Sequence, residues 1–290
     1  MSTLGSEHAL QGEVSVAELG ALPRSAGVYT FWGDGALPLY IGKSISLRTR
    51  VQSHFREPGE AEMMARVRRL AWQRTAGDVG AQLLEARLIK HMQPLYNVKL
   101  RRSRVLHAWR LSPQAPTPPQ LVDTRGVDFA RAVDLYGLYT SHRAAQEHLD
   151  SLARSHRLCR VALGLEKALK RGCFGVQVGL CDGVCLGREP AGAHHDRLMA
   201  AVAAQQVHWW PFEGPVGVLE QGDGLTQVHV VDRWCYLGTV DQGQHWPQGV
   251  NPAFDLDTYR ILVRPLLAGE LPLLRGADDQ PAACSTLGSV

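Results

Sequence analysis

Six side chains between positions 29 and 85 are of types that can bind phosphate, hold a hard cation or move a proton: Tyr29, Tyr40, Lys43, Arg50, His54 and Glu85. Arg50 and His54 are four apart and so share one face of a helix. A guanidinium forks onto phosphate oxygens, and an imidazole is neutral or charged near pH 7 with small changes of surroundings. Glu85 stands alone in the run Leu83-Leu84-Glu85-Ala86-Arg87-Leu88-Ile89. It reads either as an ordinary exposed helix residue or as a ligand for a hard divalent cation, which takes oxygen donors and often combines one carboxylate with substrate phosphate. A second group is made of sulfur. Cys173, Cys181 and Cys185 follow one another with seven and three intervening residues, and Cys159 precedes them by thirteen. Four thiolates can hold tetrahedral zinc or a [4Fe–4S] cluster. The spacing fits neither a zinc ribbon nor a ferredoxin run, so zinc, iron–sulfur and free buried thiols all stay open.

The elements that must carry these groups are readable locally. Gly27-Val28-Tyr29-Thr30-Phe31-Trp32 is rich in strand formers, Gly33-Asp34-Gly35 is a turn, and Leu39-Tyr40-Ile41 returns, which predicts a hairpin. Ser44 or Ser46 can cap a helix through Leu47, Val51 and Phe55 that Pro58-Gly59 ends. A second helix is expected over 61–70 and a strand over 71–75. Asp78 offers the N-cap of a third helix, with Leu83, Leu84, Leu88 and Ile89 at helical spacing and a stop before Pro94. The order ββααβα makes a compact α+β domain.

Composition bounds the rest. Of 290 residues 45% are hydrophobic and 20% charged, which argues against disorder. No uncharged apolar run approaches the roughly 18 residues of a membrane-spanning helix, and the first twenty residues lack the basic-then-apolar pattern of a secretory signal, so a cytoplasmic location is expected. There the thiols stay reduced, which favours metal or reactive thiols over disulfides. The net charge of +3 hides an asymmetry: residues 1–110 carry 16 basic and 9 acidic groups, 111–190 carry 10 and 8, and 191–290 carry 5 and 11. An Arg-rich basic end suits a nucleic-acid backbone, whereas the acidic end does not.

Breaks at 112–119 (SPQAPTPP) and 187–192 (GREPAG) divide the chain. The expected organisation is a leader (1–24), an α+β domain (25–101), a connecting region (102–155) ending in a helix from Ser141 to Ser155, a four-cysteine region (156–190), a C-terminal α+β region (191–276) and a tail (277–290). The C-terminal region is expected to open with a helix through Leu198, Val202 and Val207 and continue in strands around Val228, Val230, Trp234 and Tyr236. His194-His195 reads as an exposed helix start, because adjacent side chains on a helix point apart. Trp209-Trp210 reads as packed core.

Gly27-Val28-Tyr29, Tyr40-Ile41-Gly42-Lys43, Arg50, Glu85 in LLEARLIK and Asn97 in QPLYN together resemble, in order and spacing, the motif of the GIY-YIG nuclease family in its UvrC form. The likeness spans about 75 residues with five separated anchors. It implies a divalent-metal-dependent endonuclease that cuts one strand of damaged duplex DNA 3′ to a lesion, leaving 3′-hydroxyl and 5′-phosphate ends, in a complex with UvrB. It also implies that one Mg²⁺ or Mn²⁺ is held by Glu85, that Tyr29 takes the proton of water with help from Tyr40 and Lys43, that Arg50 neutralises the scissile phosphate, and that Asn97 orients the metal or DNA end of the site. UvrC proteins usually carry Tyr where this chain has His54, which resembles other branches of the superfamily. A neutral imidazole is a better base than a phenol of pKa near 10, so the proton-acceptor role is divided between Tyr29 and His54.

The cysteine spacing resembles the region after the UvrC nuclease domain, which implies a [4Fe–4S] cluster on Cys159, Cys173, Cys181 and Cys185, with zinc as the alternative. The cluster is expected to be structural, with Lys167, Lys170 and Arg171 on a DNA-facing surface. The chain as a whole resembles a short UvrC without the long C-terminal part that carries a second nuclease domain and a helix-hairpin-helix pair. Residues 214–238 weakly resemble the opening hairpin of UvrC's RNase H-like domain, here a non-catalytic remnant whose acidity suits a protein contact better than DNA. Two rivals remain: a UvrB-independent nuclease for branched DNA, and a catalytically silent DNA-binding subunit with an iron–sulfur or zinc module.

Overall fold

The computed structural model describes residues 12–97, 105–248 and 252–276. The first elements are β1 (Gly12–Ser15), β2 (Gly27–Trp32), β3 (Pro38–Ser44), α1 (Leu47–His54), α2 (Ala61–Ala65), β4 (Arg69–Arg74) and α3 (Asp78–Met92). Next come β5 (His107–Arg110), β6 (Gln120–Asp123), β7 (Leu135–Tyr139), α4 (His142–Ser155), α5 (Phe174–Gln177) and α6 (Ala191–Val202). The last are β8 (Val216–Gly222), β9 (Leu225–Asp232), β10 (Cys235–Asp241), α7 (Leu256–Leu267) and β11 (Leu273–Leu274). The fold is α+β, as expected, and no helix among the described residues is long and apolar enough to cross a membrane.

Two compact units result. One joins the start of the chain, to Ser103, with everything from Phe212 onward; the other is Arg104–Pro211. This division differs from the expected C-terminal region 191–276, because α6 belongs to the second unit and the strands after it to the first. The reason is local. Leu198 and Val202 of α6 pack with Leu149, Ala153 and Trp109 in the core of the second unit.

In the first unit β1, β4, β2 and β3 form an antiparallel sheet in that order. Tyr29, Phe31, Leu39, Leu47, Val51 and Leu70 make the core on one face, and Val28, Ile41, Leu84, Leu88 and Ile89 make it on the other, under α3. Burying one large apolar side chain of this kind contributes ~2 kcal/mol. The hairpin is where the sequence places it. The 61–70 helix is shorter than expected, ending at Ala65, because Leu70 and Ala71 pair with β2 in β4. Asp78 is the first helical residue rather than the N-cap, a position that falls to Gly77, whose side-chain-free backbone offers no cap of its own.

The same unit ends in an antiparallel sheet of order β10, β9, β8, β11, with its own core of Leu219, Val228, Val230 and Leu274. In the second unit β6, β5 and β7 form a three-stranded sheet against α4 and α6. Trp210 is buried there, as expected of core, whereas Trp209 is half-exposed. His194 and His195 are not an exposed helix start: both are buried, with His194 Nε2 accepting the Cys159 N–H at 2.9 Å and His195 Nε2 3.3 Å from the Pro113 carbonyl. The expected tail lies outside the described residues.

Candidate active site

The first sheet delivers Tyr29 and Tyr40 from paired strands, α1 delivers Arg50 and His54, and α3 delivers Glu85. Two glycines make this possible. A Cβ at Gly42 would run into the Tyr29 hydroxyl and the Tyr40 ring, and one at Gly27 would run into the Gln73 carbonyl of β4. The Tyr29 ring therefore lies over Gly42, its partner on the neighbouring strand.

Tyr29 is buried, and its hydroxyl is 2.5 Å from His54 Nε2. The other ring nitrogen, Nδ1, is hydrogen-bonded to the carboxylate of Glu60, the last residue of the 3₁₀ turn Pro58–Glu60. A carboxylate on Nδ1 selects the tautomer with the proton there and leaves the Nε2 lone pair facing the phenol. Burial lowers the His54 pKa below 6.5 and Glu60 works against it, so the ring is neutral near pH 7. Burial also drives the Tyr29 pKa far up, opposed by the Arg50 guanidinium, and Tyr40 is raised by burial and by Glu85. Burial lowers the pKa of Arg50, but the phenols of Tyr29 and Tyr40 outweigh it.

Glu85 is partly buried, and burial raises its carboxyl pKa while the backbone N–H and ammonium of Lys43 pull it down. One oxygen accepts the Lys43 N–H at 3.0 Å; among the described residues the other accepts no hydrogen bond. Lys43 Nζ itself reaches Asp78 at 2.7 Å. Asn97 is occupied structurally: its side chain receives the Ile41 N–H at 2.9 Å and donates to the Ile41 carbonyl at 2.8 Å, which locks the segment after α3 onto β3. Tyr29, Tyr40, Arg50, His54 and Glu85 thus gather at one site, Lys43 joins it through its backbone N–H to Glu85, and Asn97 braces the strand beside them. Glu60 was missed in the sequence because the Pro58-Gly59 break separates it from α1, so no helical spacing links it to His54.

The thiols also converge. Sγ atoms of Cys159, Cys173 and Cys185 lie within 4.8 Å of one another, and Cys181 shares their buried cluster. Amide N–H groups point at sulfur: Cys173 to Cys185 at 3.4 Å, Val176 to Cys173 at 3.4 Å, and Gly183 to Cys181 at 3.3 Å. Gly183 and Gly187, at φ of 91° and 69°, bracket the turn that carries Cys185, a geometry that favours glycine. Burial pushes the Cys185 thiol up to about 11. At Cys173 burial is outweighed by the Val176 N–H and the neighbouring thiols, which hold it below its ordinary value.

Residues 25–98 match the family model for the UvrC-like GIY-YIG domain, 106–204 the UvrC/Cho excinuclease middle domain, and 215–280 the excinuclease Cho C-terminal domain. The chain is 43% identical over 271 residues to excinuclease Cho of Shigella flexneri and 42% identical to that of Escherichia coli K12, covering 91% of each chain in both cases. It belongs to the excinuclease Cho family. The Cho C-terminal match takes in the stretch expected to be an RNase H-like remnant, which here forms β8–β10 of a small sheet. The GIY-YIG N-terminal endonuclease domain of Thermotoga maritima UvrC, solved with its catalytic magnesium, is 31% identical over 28% of this chain and 93% of that one, with a TM-score of 0.27.

Proposed function

We propose that this Cho-family chain is a metal-dependent DNA-repair endonuclease that makes the incision 3′ to a lesion in duplex DNA during nucleotide excision repair, acting in the cytoplasm with UvrB. The observation that carries the reading is the hydrogen-bonded line Tyr29–His54–Glu60 set beside Arg50 and Glu85. A structural tyrosine needs one partner for its hydroxyl; it does not need a neutral imidazole oriented by a carboxylate. The silent DNA-binding alternative leaves this line, and a partly buried Glu85 with a free oxygen, without a purpose.

The site supplies what phosphodiester hydrolysis requires: removal of a proton from water and relief of charge on the phosphate. Tyr29 accepts the proton of the attacking water as its own passes to His54 Nε2, and Glu60 stabilises the imidazolium that results. This resolves the difficulty of a buried phenol as base, because the phenolate never has to form in isolation. Arg50 forks onto the scissile phosphate. Glu85 fits a hard divalent cation, being a half-buried carboxylate with one oxygen oriented by the Lys43 N–H and the other open. Bound there, Mg²⁺ or Mn²⁺ supplies Lewis-acid stabilisation of the phosphate and of the leaving 3′ oxygen. Lys43 and Asn97 hold β3 in place against α3.

Cys159, Cys173, Cys181 and Cys185 hold a thiophilic metal group in this reading, a [4Fe–4S] cluster by resemblance. Sulfurs about 2.3 Å from a single zinc would stand ~3.8 Å apart, which the three nearest thiols, within 4.8 Å of one another, also accommodate, so zinc is the alternative to the cluster that the resemblance implies. Metal analysis of anaerobically purified protein decides: a brown protein with iron supports the cluster, and a colourless one with a single zinc overturns it.

The functional test is incision of a 5′-labelled duplex carrying one bulky adduct, with and without UvrB, in Mg²⁺ and in EDTA. One Mg²⁺-dependent cut 3′ to the adduct that needs UvrB is expected. Cutting of undamaged branched DNA without UvrB would replace the repair role, and absence of any cut would remove the nuclease.

A further inference from the structure

We propose that Glu220, oriented by His229, is a positioning residue for the candidate metal ligand: from the C-terminal sheet it caps the amino end of α3 and sets the height and rotation at which that helix presents Glu85. The inference rests on the reading of Glu85 as metal ligand given above.

The first turn of a helix leaves backbone N–H groups without partners, normally met by a capping side chain just before it. Here Gly77 occupies that position and has no side chain to offer. The partner comes from 140 residues away. Glu220 Oε1 accepts the Val79 N–H and Oε2 the Gly80 N–H, each at 2.9 Å. A carboxylate at this end also meets the positive pole of the helix. Burial would raise the Glu220 pKa, but His229 and the two amides outweigh it and hold the carboxylate ionised.

The cap is itself fixed from behind. His229 is fully buried, with Nε2 3.0 Å from Glu220 Oε2 and Nδ1 2.7 Å from Thr239 Oγ1, which lies 2.5 Å from the Tyr236 hydroxyl. The approach is too close for any larger residue on α3: a Cβ at Gly77 would meet the Glu220 carboxylate, and one at Gly80 would meet the His229 ring. A helical glycine costs ~1 kcal/mol relative to alanine. The sequence thus accepts a weak helix start that only the C-terminal sheet completes.

What is held is the site. Lys43 of β3 touches α3 twice, through Nζ to Asp78 beside the capped amides and through its backbone N–H to Glu85. Glu85 stands five positions after Gly80, a rise of ~8 Å along one helix. Near its other end Lys90 is gripped by Asp255 and, at 2.7 Å, by Asp257 of α7. Releasing the amino end lets the helix slide against β3 and moves the Glu85 carboxylate relative to Tyr29 and Arg50, and displacements of ~1 Å in such sites cost ~100-fold in rate.

The test uses the full chain with Glu220→Gln and Thr239→Val, the latter leaving Glu220 in place but freeing the His229 ring. Mn²⁺ affinity is read by electron paramagnetic resonance titration without DNA, and single-turnover incision gives the maximal rate and the DNA concentration at half-maximum separately, all well below the melting temperature. Glu220→Gln is expected to weaken Mn²⁺ binding ~10-fold and to slow the maximal rate comparably, with half-saturating DNA within twofold of wild type. Thr239→Val, which keeps the side-chain volume but removes the hydroxyl partner of His229 Nδ1, is expected to do the same to a smaller degree. If both variants melt earlier yet bind Mn²⁺ and cut as wild type does, the contact is structural only and the proposal is overturned. A Glu85→Gln control separates the two readings: should it retain Mn²⁺ binding, the metal assignment itself falls, whatever the Glu220 result.

Discussion

At the scale of single residues, the proposed mechanism uses the Tyr29–His54–Glu60 line to let a phenol whose pKa burial drives upward pass its proton on as it accepts one. Removing the Tyr29 hydroxyl by Tyr29→Phe is expected to reduce single-turnover incision by ~100-fold or more, with DNA binding retained. The pH dependence has a definite sign. In the proposed mechanism His54 works in its neutral form and burial lowers its pKa, so at saturating Mg²⁺ the acid limb of the rate should lie below that of an ordinary imidazole. Glu60 raises that pKa, so Glu60→Gln should move the acid limb to still lower pH while lowering the plateau ~10-fold, because the imidazolium loses its carboxylate. A limb that moved to higher pH would contradict the assignment. The types and order of Tyr29, Lys43, Arg50, His54 and Glu85 were legible in the sequence because the chemistry constrains them. Glu60 was not, since its partnership with His54 depends on how the chain turns at Pro58-Gly59.

At the scale of elements, the hairpin was readable because strand formers flank a Gly-Asp-Gly turn, and α3 because its leucines repeat at helical spacing. Boundaries were less so. Leu70 and Ala71 fit a helix as well as a strand until pairing with β2 claims them, and Asp78 looked like a cap until Lys43 and Gln82 took its carboxylate. His194 and His195 looked exposed because helical geometry separates neighbours, but both are buried, His194 against the Cys159 N–H and His195 beside the Pro113 carbonyl. The tight packing at Gly42 yields a prediction at this scale. In Gly42→Ala the new methyl has no room beside the Tyr29 ring, so overpacking should cost ~1–3 kcal/mol in urea unfolding, and incision should fall with it. Unchanged stability together with full activity would show that the packing is looser than described.

At the scale of the whole molecule, the charge asymmetry seen along the chain has a concrete outcome in the first unit. The acidic end supplies Glu220, Asp255 and Asp257, and these meet the α3 amides and Lys90 of the nuclease domain. Part of the acidity of this region thus serves packing within the chain itself. No local sequence signal could have located it, because partners 140 or more residues apart are joined only by the fold. Lys90→Met would leave two aspartates facing one another, and with these groups about one-fifth exposed the expected loss is ~1–3 kcal/mol of unfolding free energy, measured in urea. A variant as stable as wild type would mean that the two ends of the chain are not joined through this pair.

The most direct measurement is single-turnover incision of a lesion-bearing duplex by Glu85→Gln beside wild type, over a range of Mg²⁺ concentrations and with DNA affinity measured in parallel. The account predicts undiminished DNA binding and no incision at any Mg²⁺ concentration. A variant that cuts at the wild-type rate, or that fails only because it no longer binds DNA, would contradict it.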